Sequence, residues 1–131
     1  MNTTDLWRFL PVGYLFTAAL ETPVLWLLLS PRHTQRRRLF AGLWLTACTY
    51  PVVVLVLPAL FADSTRAVYL LAAETFAPAA ECLLFWLAFG REKTADAPSL
   101  WRDFAAITAA NLLSFLAGEA AGAYSWFGLL G

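Results

Sequence analysis

Four glutamates, Glu21, Glu74, Glu81 and Glu119, each interrupt a long apolar stretch. An ionised carboxylate at the centre of a membrane helix costs roughly 2.5–3.5 kcal/mol on insertion scales, so four would cost on the order of 10 kcal/mol if none were relieved. Relief takes few forms. Burial can leave an acid protonated, two carboxyls can share a proton, or a cation can bind between them. A basic side chain of another polypeptide can pair with them, or a water-filled cavity can keep them hydrated. The apolar stretches contain no Lys, Arg or His, and the one histidine, His33, lies in a basic connecting segment. Carboxyl oxygens suit protons or a hard cation. A soft metal is disfavoured, because only Cys82 adjoins an acid and no Cys/His cluster exists.

Helical spacing arranges these acids. At 100° per residue, Gly13, Tyr14, Thr17 and Glu21 share one face, as do Gly42, Thr46 and Thr49 in the next stretch. Glu74 and Glu81 stack on a common face with Pro78 near the same line. Thr108, Asn111, Ser114, Gly118, Glu119, Gly122 and Ser125 form a stripe roughly 140° wide. These polar and small faces are expected to meet one another, with Leu, Val, Phe and Ala turned to lipid. Glu21, Glu81, Glu119, Glu74 and Asn111 are the candidate proton- or cation-binding residues. Gly118, Gly122 and Ser114 are expected to serve close helix packing. Pro23, Pro51 and Pro78 free the carbonyls of Ala19, Ala47 and Glu74, which could add oxygen ligands near a kink. Cys48 and Cys82 read as small buried residues of helix interfaces rather than a disulfide framework.

The elements that must position these residues are membrane helices. Of 131 residues, 60% are hydrophobic and 14% charged, with mean hydropathy +0.64. A soluble domain carries about 25% charge. Nine Lys+Arg balance nine Asp+Glu, so no basic surface for nucleic acid remains. About 20 apolar residues cross a bilayer, and four stretches qualify: 10–29, 39–61, 67–90 and 104–130. The expected fold is therefore all-α: a single membrane domain over 1–131, built as a four-transmembrane-helix bundle. Connections 30–38 and 91–103 hold seven of the nine Lys+Arg, which places them in the cytoplasm and both termini outside. Trp7, Trp101 and Trp126 fall where interfacial belts are expected.

Glu21 to Leu29 and Glu81 to Phe89 both read E-x-x-x-x-W-L, at an offset of 60 residues. The chain can thus be read as two parallel-repeat helical hairpins, with Glu21 and Glu81 facing each other at one depth. In its Glu21-Thr22-Pro23 first span and its Asn111-x-x-Ser114-x-x-x-Gly118 last span, the sequence resembles small four-span bacterial inner-membrane proteins of uncharacterised role. That resemblance covers these two spans, implies an inner-membrane location and implies no activity.

Two functional readings follow. In the first, the chain is a small transporter or channel whose glutamates bind protons or a hard cation, working as a homo-oligomer in the lipid bilayer. In the second, it is an accessory or assembly subunit of a larger membrane complex, its acids paired with a partner's basic residues. No enzyme arrangement is expected, because the spans lack a histidine base or a recognisable nucleophile set. No organic cofactor is expected, and the metal is left open. The triple Arg36-Arg37-Arg38 reads as a topology signal.

Overall fold

The computed structural model describes residues 3–123, with side chains placed over 7–120. Every regular element among them is helical: α1 (Thr3–Leu28), α2 (Gln35–Pro51), a π turn (Val52–Val56), α3 (Leu57–Leu60), α4 (Arg66–Phe89) and α5 (Ala97–Ala123). Three helical runs are long and apolar enough to cross a membrane: Trp7–Leu28, Gln35–Leu60 and Arg66–Phe89. α5 is 27 residues long, and Trp126 and Ser125 lie outside the described residues.

The helices begin before the apolar stretches do, because polar residues cap them. Thr34 accepts from the Arg37 N–H at 3.1 Å, Thr65 from the Val68 N–H at 3.3 Å and Asp96 from the Ser99 N–H at 2.9 Å. Each satisfies a first-turn donor that would otherwise lack a partner. The second span stays helical through Pro51 and Pro58 by widening one turn. In that turn the Leu57 N–H reaches the Val52 carbonyl. The next bond in that register would run from residue 58 to Val53, and proline has no N–H. Tyr69 of α4 supplies the missing donor, its hydroxyl 2.8 Å from the Val53 carbonyl.

α1 packs against α2 and α5, and α4 packs against the same two helices. Gly42 lets α2 approach α1 closely: a Cβ there would stand 2.9 Å from the Thr22 Cα. A buried layer of Leu25, Leu29, Ala41, Leu45, Phe85, Ala106, Ile107 and Ala110 fills the end where α1 and α4 finish and α2 and α5 begin.

Beyond this layer the two charged connections lock together. Asp103 is fully buried; it accepts from the Ser30 N–H at 2.7 Å and from Arg32 at 3.1 Å, and pairs with His33 at 2.8 Å. Glu92 accepts from Arg37 at 2.6 and 3.0 Å and from Arg32 at 2.9 Å. Other guanidinium donors reach backbone carbonyls at and just beyond the helix C-termini, where carbonyls lack partners, while Arg32 Nε is buried without one. Arg32 reaches the Phe89 carbonyl at 2.9 Å and Arg102 the Leu28 carbonyl at 2.9 Å. Arg38 holds the carbonyls of Trp26, Ser30 and His33. The basic segment is thus a structural clasp as well as a charge signal. Burial raises the Asp103 carboxyl, yet the His33 and Ser30 hydrogen bonds outweigh it, so the group titrates below the usual range. The Arg37 hydrogen bond, with the charges of Arg37 and Arg32, lowers Glu92 as well.

Two expectations fail on placement. Cys48 is exposed, on the outer side of α2 rather than in an interface, while Cys82 is half-buried. Thr108 is exposed and returns its hydroxyl to the Phe104 carbonyl of its own helix at 2.9 Å, so it leaves the α5 stripe.

Candidate functional site: one cavity shared by four glutamates

All four glutamates line a single cavity of about 360 Å³. Its deep end is formed by Glu21 and Glu81, each 2% exposed. Its other end reaches Arg66 and Glu119, near the start of α4 and the end of α5. Glu74 lines the wall between, with Tyr50 and Tyr69.

The deep pair is held by hydroxyls on neighbouring helices. Thr46 of α2 donates to Glu21 Oε2 at 2.9 Å, and Ser114 of α5 donates to Glu21 Oε1 at 2.7 Å. Thr49 of α2 lies 3.2 Å from Glu81 Oε2, and Asn111 of α5 approaches the same carboxyl. Thr46 and Thr49 are three residues apart, about 4.5 Å of helix rise, so the two acids are held at neighbouring depths. No basic side chain among the described residues forms an ion pair with Glu21 or Glu81.

Each hydroxyl also has a second acceptor on its own helix. Thr46 lies 2.7 Å from the Gly42 carbonyl, Thr49 3.1 Å from that of Leu45 and Ser114 3.0 Å from that of Asn111. A hydroxyl has one proton and can also accept. Facing an ionised carboxylate, it donates inward. Facing a carboxylic acid, it accepts the acid's O–H and turns its own proton onto the helix carbonyl. Both states are satisfied by rotating one bond, with no movement of the helices.

Glu119 differs. Arg66 grips both its oxygens, at 2.9 and 3.1 Å, and the two side chains are 69% and 37% exposed. Arg66 lies just outside the 67–90 apolar stretch, so the base comes from a connection and not from a span. Arg66 starts α4 and Glu119 stands near the end of α5, so antiparallel packing brings both to one face. The pair is exposed, so it contributes little to stability.

Asn111 is buried and spends one amide hydrogen on the Ile107 carbonyl at 2.9 Å. Ser114 and Gly118, expected at packing contacts, line the cavity. Gly122 lies beyond the described side chains. Ala19 and Ala47, whose carbonyls Pro23 and Pro51 free, are exposed and do not line the cavity. Among the described residues no three His, Cys, Asp or Glu side chains converge as a metal-holding group.

Sequence spacing brought out the acids and the Thr46/Thr49 face, but not Tyr69, whose role depends on Pro58 and the π turn, nor Arg66, whose role depends on helix pairing. The clasp of His33, Arg32 and Asp103 was also missed; opposite charge in the two connections was its one visible signal. Compared with family models, curated proteins and solved structures, the chain matches none.

Proposed function

We propose that this chain is a four-span helical bundle of a bacterial inner membrane, acting as a small transporter or channel that moves protons by way of Glu21 and Glu81. One observation carries the reading: two buried carboxyls with no ion-pair partner share a cavity, and their hydroxyl partners can serve either protonation state. A fixed structural acid would need only one such arrangement. A hard cation would need several oxygens converging at one point, whereas these acids sit at separate hydroxyl sets.

In this reading α5 is the fourth span, both termini lie outside, and the clasp of connections 30–38 and 91–103 lies in the cytoplasm. The cavity then opens outward past Arg66 and Glu119, and the layer of Leu25, Leu45, Phe85 and Ile107 closes it inward. Pairing of α1 with α4 across α2 and α5 fits a parallel repeat. A homo-oligomer in the bilayer is the working assembly. The accessory-subunit reading drew on acids that wanted a foreign base; Glu119 has Arg66, and Glu21 and Glu81 have hydroxyls.

The test is voltage-driven proton uptake into proteoliposomes containing the purified chain. Wild type is expected to conduct, and Glu21→Gln with Glu81→Gln to reduce the rate by about tenfold or more, as loss of an acid–base group does. A rate unchanged in the double variant contradicts the reading.

A further inference from the structure

We propose that His33 is the proton-accepting residue on the inner side of the cavity, and that the Phe85 ring is the seal between it and Glu81. The proposal rests on the proton route through Glu21 and Glu81.

Glu81, Phe85 and Phe89 follow one another at four-residue spacing on α4, so each lies on the face of the last and about 6 Å further along the axis. Phe85 has no exposed surface and belongs to the buried layer one helical turn beyond Glu81. On its far side its ring meets the His33 imidazole edge-on, with centroids 5.0 Å apart, and Phe89 meets the same imidazole at 5.9 Å. One aromatic ring therefore stands between a buried acid of the cavity and the only histidine of the chain.

The neighbours of His33 fix its state. Nδ1 faces an Arg37 guanidinium nitrogen at 3.4 Å, and a guanidinium can only donate. Nδ1 is therefore the bare nitrogen, and Nε2 carries the proton it gives to Asp103 Oδ2 at 2.8 Å. The charged groups around it come from every adjoining segment: Asp103 from α5, Arg37 and Arg38 from α2, Arg32 from its own connection and Glu92 from the 90–96 connection. Arg32, Arg37 and Arg38 outnumber Asp103 and Glu92, so these five groups carry one net positive charge around neutral His33. A proton arriving on Nδ1 makes an imidazolium, which keeps its Asp103 bond and displaces Arg37 onto Glu92, where two bonds already hold it.

The transfer balances simply. When the Phe85 ring swings aside and admits water, a Glu81 carboxyl oxygen gives up its proton, and His33 Nδ1 binds one. Loss of that proton past Arg37 to the inner solution restores the Nε2–H tautomer. With the ring in place the layer is dry, and a dry constriction blocks conduction.

Proton uptake by proteoliposomes of the full chain tests both residues. Phe85→Ala is expected to raise the rate about tenfold over wild type by wetting the seal, and adding His33→Gln is expected to remove most of that gain. A Phe85→Ala rate equal to wild type overturns the seal. A double-variant rate equal to that of Phe85→Ala overturns the role of His33. Because losing a buried ring can unfold the chain, Phe85→Leu is read alongside, and nitrogen-15 histidine labelling of the wild type gives a single imidazole probe. It is expected to report the Nε2–H tautomer. An Nδ1–H tautomer overturns the proposal. The glutamate reading fails separately, through the Glu21 and Glu81 variants of wild type alone.

Discussion

The two ends of the molecule solve the problem of buried charge in opposite ways. At the inner end, Asp103 is buried against Ser30, Arg32 and His33, and every carboxylate oxygen has a donor of fixed direction. At the deep end of the cavity, Glu21 and Glu81 are equally buried but meet only hydroxyls and an amide. The first arrangement holds the Asp103 carboxylate and ties two connections together. The second tolerates two charge states and leaves space beside them. A guanidinium specifies an anion because it cannot accept; a hydroxyl specifies nothing, because it can. A carboxylate held by fixed donors and carboxyls held by hydroxyls are thus allotted to different halves of one helical assembly.

Removing the anion of the clasp should have the largest effect. Asp103→Ala leaves Arg32 buried beside an unpaired histidine, and breaking a buried pair in this way costs about 3 kcal/mol or more. The expected result is a markedly lower thermal midpoint in detergent. Glu21→Gln, equally buried, is expected to cost less than about 1 kcal/mol, because its amide can still bond Thr46 and Ser114. Equal losses at the two sites would erase the distinction between the halves.

Closing the α1–α2 approach comes next. Gly42→Val drives branched carbon into Thr22, and overpacking of this kind costs about 1–3 kcal/mol. Thermal unfolding of the variant reads that loss, and unchanged stability would mean the two helices have room to part.

Acid separates the halves by titration. Asp103 and Glu92 titrate below their usual ranges in the folded chain. Their contribution is therefore complete above the unfolded carboxylate value, about 4, and is lost as pH falls through the lower folded values. The clasp should loosen only below about pH 4, and near-ultraviolet dichroism of Trp26 and Trp86, which lie beside it, reads the change. Loosening between pH 5 and 7 would place the weak point elsewhere.

The smallest effect belongs to the outer pair. Arg66→Gln breaks an exposed bridge to Glu119 worth about 0.5 kcal/mol. Stability should barely move, and a loss as large as that of Asp103→Ala would contradict the exposed geometry.

Sequence alone carried the helical class, three helices long and apolar enough to cross a membrane, and the shared faces of Glu21, Thr46, Thr49, Glu81 and Ser114, because helical periodicity converts spacing into direction. It could not carry pairings that depend on which helices adjoin and in which sense. Arg66 and Glu119 are 53 residues apart and meet only because α4 and α5 run antiparallel. His33 and Asp103 are 70 residues apart and meet only because both connections return to one end. Thr34, Thr65 and Asp96 are cap residues by type, and hydropathy does not register them: α2 begins at Gln35, α4 at Arg66 and α5 at Ala97, each before its apolar run. Cys48 and Thr108 were misplaced because a small residue on an apolar helix faces lipid as readily as protein.

Infrared spectroscopy of the carboxyl groups in lipid tests the central claim most directly. The carbonyl stretch of protonated acids is recorded across pH for wild type and for the Glu21→Gln, Glu81→Gln double variant. Wild type should show a protonated-carboxyl band that rises and falls with pH, and the double variant should lack it. A band that ignores pH, or one that survives unchanged without both glutamates, would mean that the buried pair does not exchange protons.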